Sequence, residues 1–226
     1  MNIGKIVKWI IGIIVIGLVA IVAVVAAVLF IFPQSLTGPT LPPLQLPALN
    51  SATTNTSAAP PDGTWTVQSG SVAGFRVEES FLVQSGTIVG RTSAVSGSLV
   101  MSHNQVNSGS FQADLSKLTM GGKPNDSFFK LLDTTQYPTA TLTLTNPIVF
   151  DSIPSNNQIL SSNAAGSLTM HGITHPVTFT FSGRYDGTVL EAIGSAPVLA
   201  SDWNIDSPFG IHDNDVIEFL VILQRV

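Results

Sequence analysis

The chain has 226 residues, of which 9 are basic and 14 are acidic, and its net charge is −5. No arginine-rich run or basic patch occurs, which argues against a nucleic-acid partner. Cysteine is absent, so disulfides, thiolate metal sites and a cysteine nucleophile are excluded.

The first predicted element is a membrane anchor over residues 1–32. Trp9–Phe32 contains no charged residue and no proline, and at ~1.5 Å per residue a helix of this length crosses a ~30 Å hydrocarbon core. The run is longer than the ~7–15 apolar residues of a cleavable signal peptide, and it contains no Ala-x-Ala site. Lys5 and Lys8 precede it, and the next basic residue is Arg76. We therefore expect a single-pass cell-membrane protein with a cytoplasmic N-terminus and an extracytoplasmic domain.

Residues 33–61 are predicted to form a disordered linker. The segment contains seven prolines, no charge and the polar tract "NSATTNTSAA", and it lacks the apolar surface that would offset the entropy of ordering. Its prolines favour an extended polyproline II conformation, which suits a stalk. Four leucines are too interrupted by proline for a helix and are expected at the membrane surface: Leu41, Leu44, Leu46 and Leu49.

From residue 62 to residue 226, apolar and polar residues alternate. In "TATLTLT", Thr139–Thr145, three apolar side chains face one way and four threonines face the other, and "VTFTFS", Val177–Ser182, repeats the pattern. A period of two with β-branched and aromatic residues predicts half-buried strands. The last run, Asp215–Val226, is apolar enough to be covered on both faces for part of its length.

One stretch has helical rather than strand spacing. Phe128, Leu131 and Leu132 recur at helical intervals, and Asn125 or Asp126 is a plausible N-cap. Strands otherwise recur without the long helices that a parallel sheet needs, so an all-β antiparallel domain is predicted. Closing the sheet removes its edges, and a closed barrel of about eight strands is just wide enough for side chains or one ligand.

Two histidines in "LTMHGITHPV" raise the question of a metal site. If Gly172–Thr174 is a three-residue hairpin loop, His171 and His175 face each other about 5 Å apart. A metal site needs a third or fourth ligand, and nothing in the sequence brings the other candidate cluster, His212–Asp215, near them. We therefore predict polar residues that close a turn at the barrel rim, with no metal and no cofactor.

No catalytic residue is predicted. Ser127 and Lys130 match the Ser-x-x-Lys pattern of penicillin-recognising acyl transferases, but the companion Ser-Asp-Asn and Lys-Thr-Gly motifs are absent. No Gly-x-Ser-x-Gly motif, phosphate loop or dinucleotide motif occurs either. The helix is expected instead to bury Phe128 and Phe129 against the barrel.

The apolar face of the alternating runs is the predicted ligand-binding surface. Composition alone leaves open whether its side chains fill a core or line a cavity. The predicted residues are Phe75, Val77, Leu99, Met101, Phe111, Leu115, Phe128, Leu142, Leu144, Leu168, Met170, Val177, Phe179, Phe181 and Phe219.

Several segments together resemble the YceI-like family of polyisoprenoid-binding proteins. They are "GTWTVQSGSVAGFRVEE", "TIVGRTSAVSGSL", "LLDTTQYPTATLTL", "GSLTMHGITHPVTFTF" and "DNDVIEFLVIL". These segments cover almost all of residues 63–226, and the Tyr-Pro-Thr-Ala and Leu-Thr-x-His-Gly-x-Thr motifs occur in the family's order and spacing. The resemblance implies a lipocalin-like barrel of eight antiparallel strands around a long isoprenoid chain, in proteins that are typically exported.

Three departures from the family pattern concern positive charge. Asn125 occupies the place of an arginine, the segment around Trp203 lacks the family's arginine and glycine, and His175 stands where lysine is more common. The resemblance with these departures implies a neutral head group, such as a quinone, rather than a pyrophosphate. His171 matches the family's histidine and is the candidate polar contact at the mouth of the cavity.

The sequence thus predicts a membrane-anchored, extracytoplasmic and non-catalytic binding protein for an isoprenoid or similar long-chain apolar lipid. Its predicted partners are that lipid and, through the N-terminal helix, the membrane, while the oligomeric state stays open. Two alternatives also stay open. One is a metal-dependent enzyme that uses His171 and His175, and the other is a surface or stress-response module with a solid, ligand-free barrel.

Overall fold

The computed structural model describes five ranges of the chain, and for residues 79–81 and 84–85 it describes the backbone alone. The five ranges are 41–48, 61–81, 84–152, 157–205 and 215–226. Within them, no helix has the length and hydropathy that a membrane span requires. The predicted anchor and much of the predicted linker lie outside these ranges.

The described residues form twelve β-strands, one short α-helix and two 3₁₀ turns. The strands are β1 Gly63–Val67, β2 Val72–Phe81, β3 Gln84–Thr92, β4 Val95–Ser102, β5 Gln105–Asp114, β6 Thr119–Met120, β7 Thr139–Leu144, β8 Ile148–Val149, β9 Leu160–Met170, β10 Ile173–Tyr185, β11 Val189–Val198 and β12 Asp215–Arg225. The helix α1 is Asp126–Leu131, and the 3₁₀ turns are Leu115–Lys117 and Ala200–Trp203.

The strands close into an antiparallel barrel. Neighbours around the sheet follow the order β1-β4-β5-β7-β9-β10-β11-β12, and β12 pairs back with β1. β2 pairs with the same edge of β12 as β1, so these two segments form one barrel strand that is broken between Val67 and Val72. In the same way β3 continues β4, and β6 continues β5. The described part of the chain therefore confirms the predicted eight-stranded barrel with one helix, and alternate residues of each strand face its interior.

Ser71 stabilises the break in the first barrel strand. Its side chain is 1% exposed. The hydroxyl donates a hydrogen bond to the carbonyl of Gln68 at 2.8 Å and accepts one from the backbone N–H of Ile222 at 2.9 Å. It thereby replaces a ladder hydrogen bond where the chain leaves β1, so the N–H of Ile222 keeps a partner.

Two hairpins close on two-residue turns that contain a histidine. His103 and Asn104 join β4 to β5 with φ angles of 53° and 59°, and His171 and Gly172 join β9 to β10 with φ angles of 51° and 76°. Positive φ at both positions is the type I′ geometry that fits the twist of paired strands. The three-residue loop considered from the sequence is therefore wrong, because strand pairing resumes at Ile173.

Helix α1 begins where the sequence predicts, and Asn125 rather than Asp126 is its N-cap. The Asn125 side chain accepts hydrogen bonds from the N–H groups of Ser127 and Phe128, both at 3.1 Å. The Phe128 ring stacks on the Phe75 ring of β2 with centroids 4.9 Å apart. The helix therefore covers the end of the barrel where β12 begins, called the helix end below. The opposite end, with the β4–β5 and β10–β11 turns, is the far end.

Leu41–Pro47, within the predicted linker, lies against the outside of the barrel and is called the strap below. Three barrel arginines donate hydrogen bonds to its backbone carbonyls. The pairs are Arg76 with Leu41 at 2.9 Å, Arg91 with Pro42 at 2.5 Å, and Arg184 with Pro47. Prolines keep the strap extended and remove backbone donors, so its carbonyls are available to side chains of the barrel.

The strap contradicts two expectations from the sequence for these residues. They are not a free stalk, and the half-buried Leu41, Leu44 and Leu46 lie on the protein rather than on a membrane surface. Leu44, with Pro43, borders an outer groove whose other wall includes Ile193 and Val216. The composition of the segment alone is misleading here, because the arginines that hold it lie between 35 and 137 residues away in the chain.

Candidate ligand-binding site

The barrel encloses a cavity of about 300 Å³, at the lower end of the ~300–1,000 Å³ range of small-molecule sites. Its wall extends from Leu118 and Phe128 at the helix end to Val106 and Leu223 toward the far end. Most of the lining side chains are aliphatic or aromatic. Of the two possibilities that composition leaves open, a filled core and a cavity, the described residues form the cavity.

Fourteen of the predicted ligand-binding residues line this cavity. They are Phe75, Val77, Leu99, Met101, Phe111, Leu115, Phe128, Leu142, Leu144, Leu168, Met170, Phe179, Phe181 and Phe219. Val177 and His171 do not: Val177 is buried in the apolar cluster at the helix end, and His171 lies in the β9–β10 turn. The structure brings the predicted apolar set around one space, and contact with a ligand stays a prediction.

Three phenylalanines of the wall each pair with a glycine on the neighbouring strand. The pairs are Phe75 with Gly90, Phe111 with Gly97, and Phe219 with Gly194. A methyl group at Gly90 would stand 2.4 Å from the Phe75 ring, and one at Gly194 would stand 2.3 Å from the Phe219 ring. The rings therefore occupy space that a side chain at the glycine would fill, which leaves the centre of the barrel open.

The glycines and part of the wall are missing from the set predicted from the sequence. Wall residues outside that set include Ala73, Ala113, Ala192, Ile217, Val221 and Leu223. A signal for both groups exists in the sequence. Glycine in the middle of a strand run is typical of close approach by a neighbouring group, and the apolar residues of β12 alternate in step with Phe219.

Two charged residues that border the cavity, Arg184 and Glu218, are in ion pairs. Arg184 lies 2.6 Å from a carboxylate oxygen of Glu191 through Nε and 2.5 Å through Nη2. Glu218 is 7% exposed. Its carboxylate accepts a hydrogen bond from Nε of Arg91 at 2.8 Å, and Nη2 of Arg91 and Nε of Arg76 lie 2.7 and 3.7 Å from it. In these ion pairs, glutamates of the protein already balance the charges of the arginines.

Gly74 makes the ion pair of Arg91 with Glu218 possible. Strand register places the three residues side by side on β3, β2 and β12. A methyl group at Gly74 would stand 3.0 Å from Cγ of Arg91 and 2.0 Å from the carbonyl oxygen of Gly90. Because Gly74 has no side chain, the Arg91 side chain can cross β2 and reach the carboxylate of Glu218.

Trp203 closes the helix end. Its side chain is 1% exposed, and Nε1 donates to the carbonyl of Leu168 at 3.3 Å. The His175 ring packs edge-on against it with centroids 5.1 Å apart, and Nδ1 of His171 lies 2.8 Å from the Trp203 carbonyl oxygen. Tyr137 packs against the His171 ring at 4.6 Å. Both histidines therefore hold the 3₁₀ turn that carries the tryptophan.

Neither histidine has the geometry considered for it from the sequence. His171 is not part of the cavity wall, and its ring contacts Trp203, so its contact with a ligand at the mouth stays a prediction. His175 pairs with Leu168 across the ladder and does not face His171. In the described ranges, no three His, Cys, Asp or Glu side chains come together as metal ligands. His212 lies outside those ranges.

Two residues at the far end have shifted pKa values. Burial raises the pKa of Tyr185; Arg225 opposes this shift and Asp186 adds to it. Burial also acts to raise the pKa of Asp186, but hydrogen bonds from Val189 and Thr188 outweigh it and lower the pKa overall. Tyr185 therefore stays a neutral phenol in the wall of the cavity at physiological pH.

A closed antiparallel barrel of eight strands around an apolar cavity is the architecture of the lipocalin-like fold. The family model for the YceI-like domain matches residues 65–222, and the chain belongs to this family. The resemblance noted in the sequence is thereby confirmed. No curated protein matches the chain.

Solved structures with this fold share little sequence with the chain. A polyisoprenoid binding domain from Saccharophagus degradans has a TM-score of 0.55 at 14% identity, covering 72% of this chain and 98% of its own. BcnA from Burkholderia cenocepacia has a TM-score of 0.55 at 19% identity, covering 70% and 98%. The YceI protein of Campylobacter jejuni has a TM-score of 0.51 at 13% identity, covering 66% and 90%. At these identities the likeness establishes the fold alone.

Proposed function

We propose that the chain is a non-catalytic binding protein for an isoprenoid or similar long-chain apolar lipid. The observation that carries this proposal is the cavity of about 300 Å³ with its apolar wall inside a closed barrel. Moving a hydrocarbon chain from water into such a site is favourable by ~0.8 kcal/mol per buried methylene group. A prenyl tail can therefore be held without any charged contact.

A neutral head group suits the cavity better than an anionic one. Arg184 borders the cavity, but its Nε and Nη2 are engaged by Glu191 and by the strap. A pyrophosphate would have to displace these contacts, whereas a quinone or a prenyl alcohol would not. The description of one structural relative as a polyisoprenoid binding domain supports the same class of ligand.

The proposal includes a single-pass anchor in the cell membrane, with the barrel on the extracytoplasmic side. Support comes from the apolar run Trp9–Phe32 and from Lys5 and Lys8, which precede it. Such an anchor would keep the barrel beside its supply of membrane lipid.

Titration of the full chain in lipid nanodiscs with farnesol, a neutral prenyl alcohol, tests the proposal. Ala192→Phe puts a ring into the cavity, because Ala192 lines it, and the affinity for farnesol should fall about tenfold or more. Ile193→Phe is the matched control, since Ile193 borders the outer groove on the same strand, and its affinity should stay within about twofold.

Circular dichroism establishes that both variants fold. Equal farnesol affinities in the wild type and in Ala192→Phe, or no saturable binding to the wild type, would contradict the proposal. The second outcome would favour the ligand-free module. Native mass spectrometry of the wild type should independently show a bound mass in the prenyl-lipid range.

A further inference from the structure

The strap crosses the outside of the barrel from β2 and β3 to β10. Its first contacts are with Arg76 of β2 and Arg91 of β3, and its last is with Arg184 of β10. β12 and β11 lie between these strands in the sheet, so the strap passes over both. Pro43 and Leu44 border the outer groove along this path.

The chemistry of this contact is that of an extended, proline-rich peptide on a complementary surface. The strap presents carbonyl oxygens, and its three prolines have no N–H of their own to satisfy. The barrel presents guanidinium groups whose charge is balanced by Glu218 and Glu191, so they donate to the strap without leaving a cation unpaired. A segment that is already extended loses little conformational entropy on docking.

The strap begins near the helix end and runs toward the far end. Arg76 pairs with Val216, next to the start of β12. Arg184 pairs with Glu191, which in turn pairs with Ile222 toward the end of β12. The first residue of the strap, Leu41, therefore lies beside the helix end of the barrel.

We propose that the outer face of the barrel is a binding site for the chain's own strap, and that docking shortens the membrane tether. The inference rests on the anchor included in the proposed function. Residues 33–40 separate the predicted span from the strap and can extend over at most ~29 Å, whereas an undocked linker over residues 33–61 could extend over ~100 Å. Docking thus reduces the reach of the barrel from the bilayer about threefold.

Distances between two spin labels test docking in the full chain in nanodiscs. The chain has no cysteine, so Gln45→Cys in the strap and Thr178→Cys on β10 provide a unique pair, both at exposed positions. A docked strap produces one narrow distance distribution. A free strap behaves as a flexible chain and should produce a distribution about threefold wider.

Substitutions in the strap and at the residue after it provide the variant and its control. Leu41→Ser, Leu44→Ser and Leu46→Ser together remove the three half-buried leucine side chains and leave the barrel unchanged, so the distribution should become broad. Ala48→Ser alters the exposed position that follows the strap, and the distribution should stay narrow. A broad distribution in the wild type, or a narrow one in the triple-leucine variant, overturns the proposal.

Energy transfer from a dye on Thr178→Cys to labelled lipid measures the reach of the tether. We expect the transfer to fall in the triple-leucine variant, and unchanged transfer overturns the shortening of the tether. Farnesol affinity, measured on the same samples, separates the two proposals. In the wild type, a narrow spin-label distribution without farnesol binding contradicts only the lipid-binding function. A broad wild-type distribution with intact farnesol binding contradicts only docking.

Discussion

The inner and outer faces of the barrel are packed on different principles, although they are built from the same strands. On β2, the inward Phe75 lies over Gly90 and leaves the centre open, while the next residue, Arg76, joins Glu218 and the strap outside. The inner face is apolar but not filled, and part of the outer face is charged but covered. Hydrophobicity by itself therefore does not predict which parts of this barrel are filled and which are exposed to solvent.

Removing one arginine from the outer network is expected to have the largest effect. Arg91→Ala leaves the buried carboxylate of Glu218 with Arg76 alone, at 3.7 Å, and should lower the free energy of unfolding by about 3 kcal/mol. Chemical denaturation measures the change. Lys117→Ala removes an exposed charge and should cost less than about 0.5 kcal/mol. A cost for Arg91→Ala as small as that of the control would show that the outer network adds nothing to stability.

The inner face should respond most to a methyl group at one of its glycines. Gly194→Ala places that group 2.3 Å from the Phe219 ring, so the ring must turn into the cavity, and farnesol affinity should fall about tenfold, or ~1.4 kcal/mol. In the double variant with Phe219→Leu the clash with the ring is relieved, while the methyl group still meets the carbonyl oxygen of Thr180 at 2.8 Å, so part of the affinity should return. Wild-type affinity in the single variant would mean that the glycines do not keep the cavity open.

A turn at the far end should show a smaller effect that depends on pH. Asp186 accepts hydrogen bonds from the N–H groups of Thr188 and Val189 at 2.8 and 2.7 Å, so Asp186→Ala should cost about 1 kcal/mol at neutral pH. The pKa of Asp186 is lowered in the folded state, against the effect of burial. Its contribution is therefore present above about pH 4 and is lost as the pH falls through that range and below.

Urea denaturation between pH 7 and pH 3 checks this prediction. The difference in unfolding free energy between the wild type and Asp186→Ala should shrink as the pH falls. A difference that stays constant, or that grows in acid, would show that the ionised carboxylate is not what stabilises the turn.

The smallest effect on ligand binding is expected for the two histidines. His171→Asn with His175→Asn changes residues that hold Trp203 and lie outside the cavity wall, so farnesol affinity should stay within about twofold. Asparagine also tolerates the positive φ of the turn. Loss of a metal-dependent activity in this variant would instead support the enzyme alternative.

The barrel and most of its inner wall can be predicted from the sequence, because strand alternation puts every second residue on one face. Phe179 and Phe181 belong to the wall for that reason alone. The helix and its N-cap follow from local signals as well, since the Asn125 side chain acts only within its own turn.

The rest depends on which strands become neighbours, and local patterns in the sequence do not reveal that pairing. The role of Gly90 becomes evident only when the strand register places it against Phe75. Pro47 is held by Arg184, which lies 137 residues away in the chain. The tryptophan that contacts both histidines belongs to a different segment of the chain. Local patterns therefore indicate the wall but not the strap, the glycine pairs or the role of the histidines.

Closure of the barrel by pairing Trp65 with Arg225 joins the first strand to the last. During synthesis the first strand has no final partner until β12 has been made. A sheet that lacks β12 has two open edges, which invite aggregation unless chaperones cover them. Assembly must then wait for contacts that are distant in sequence, which is a slow step. A premature stop codon before β12 should therefore leave no partly functional product, only a substrate for proteases.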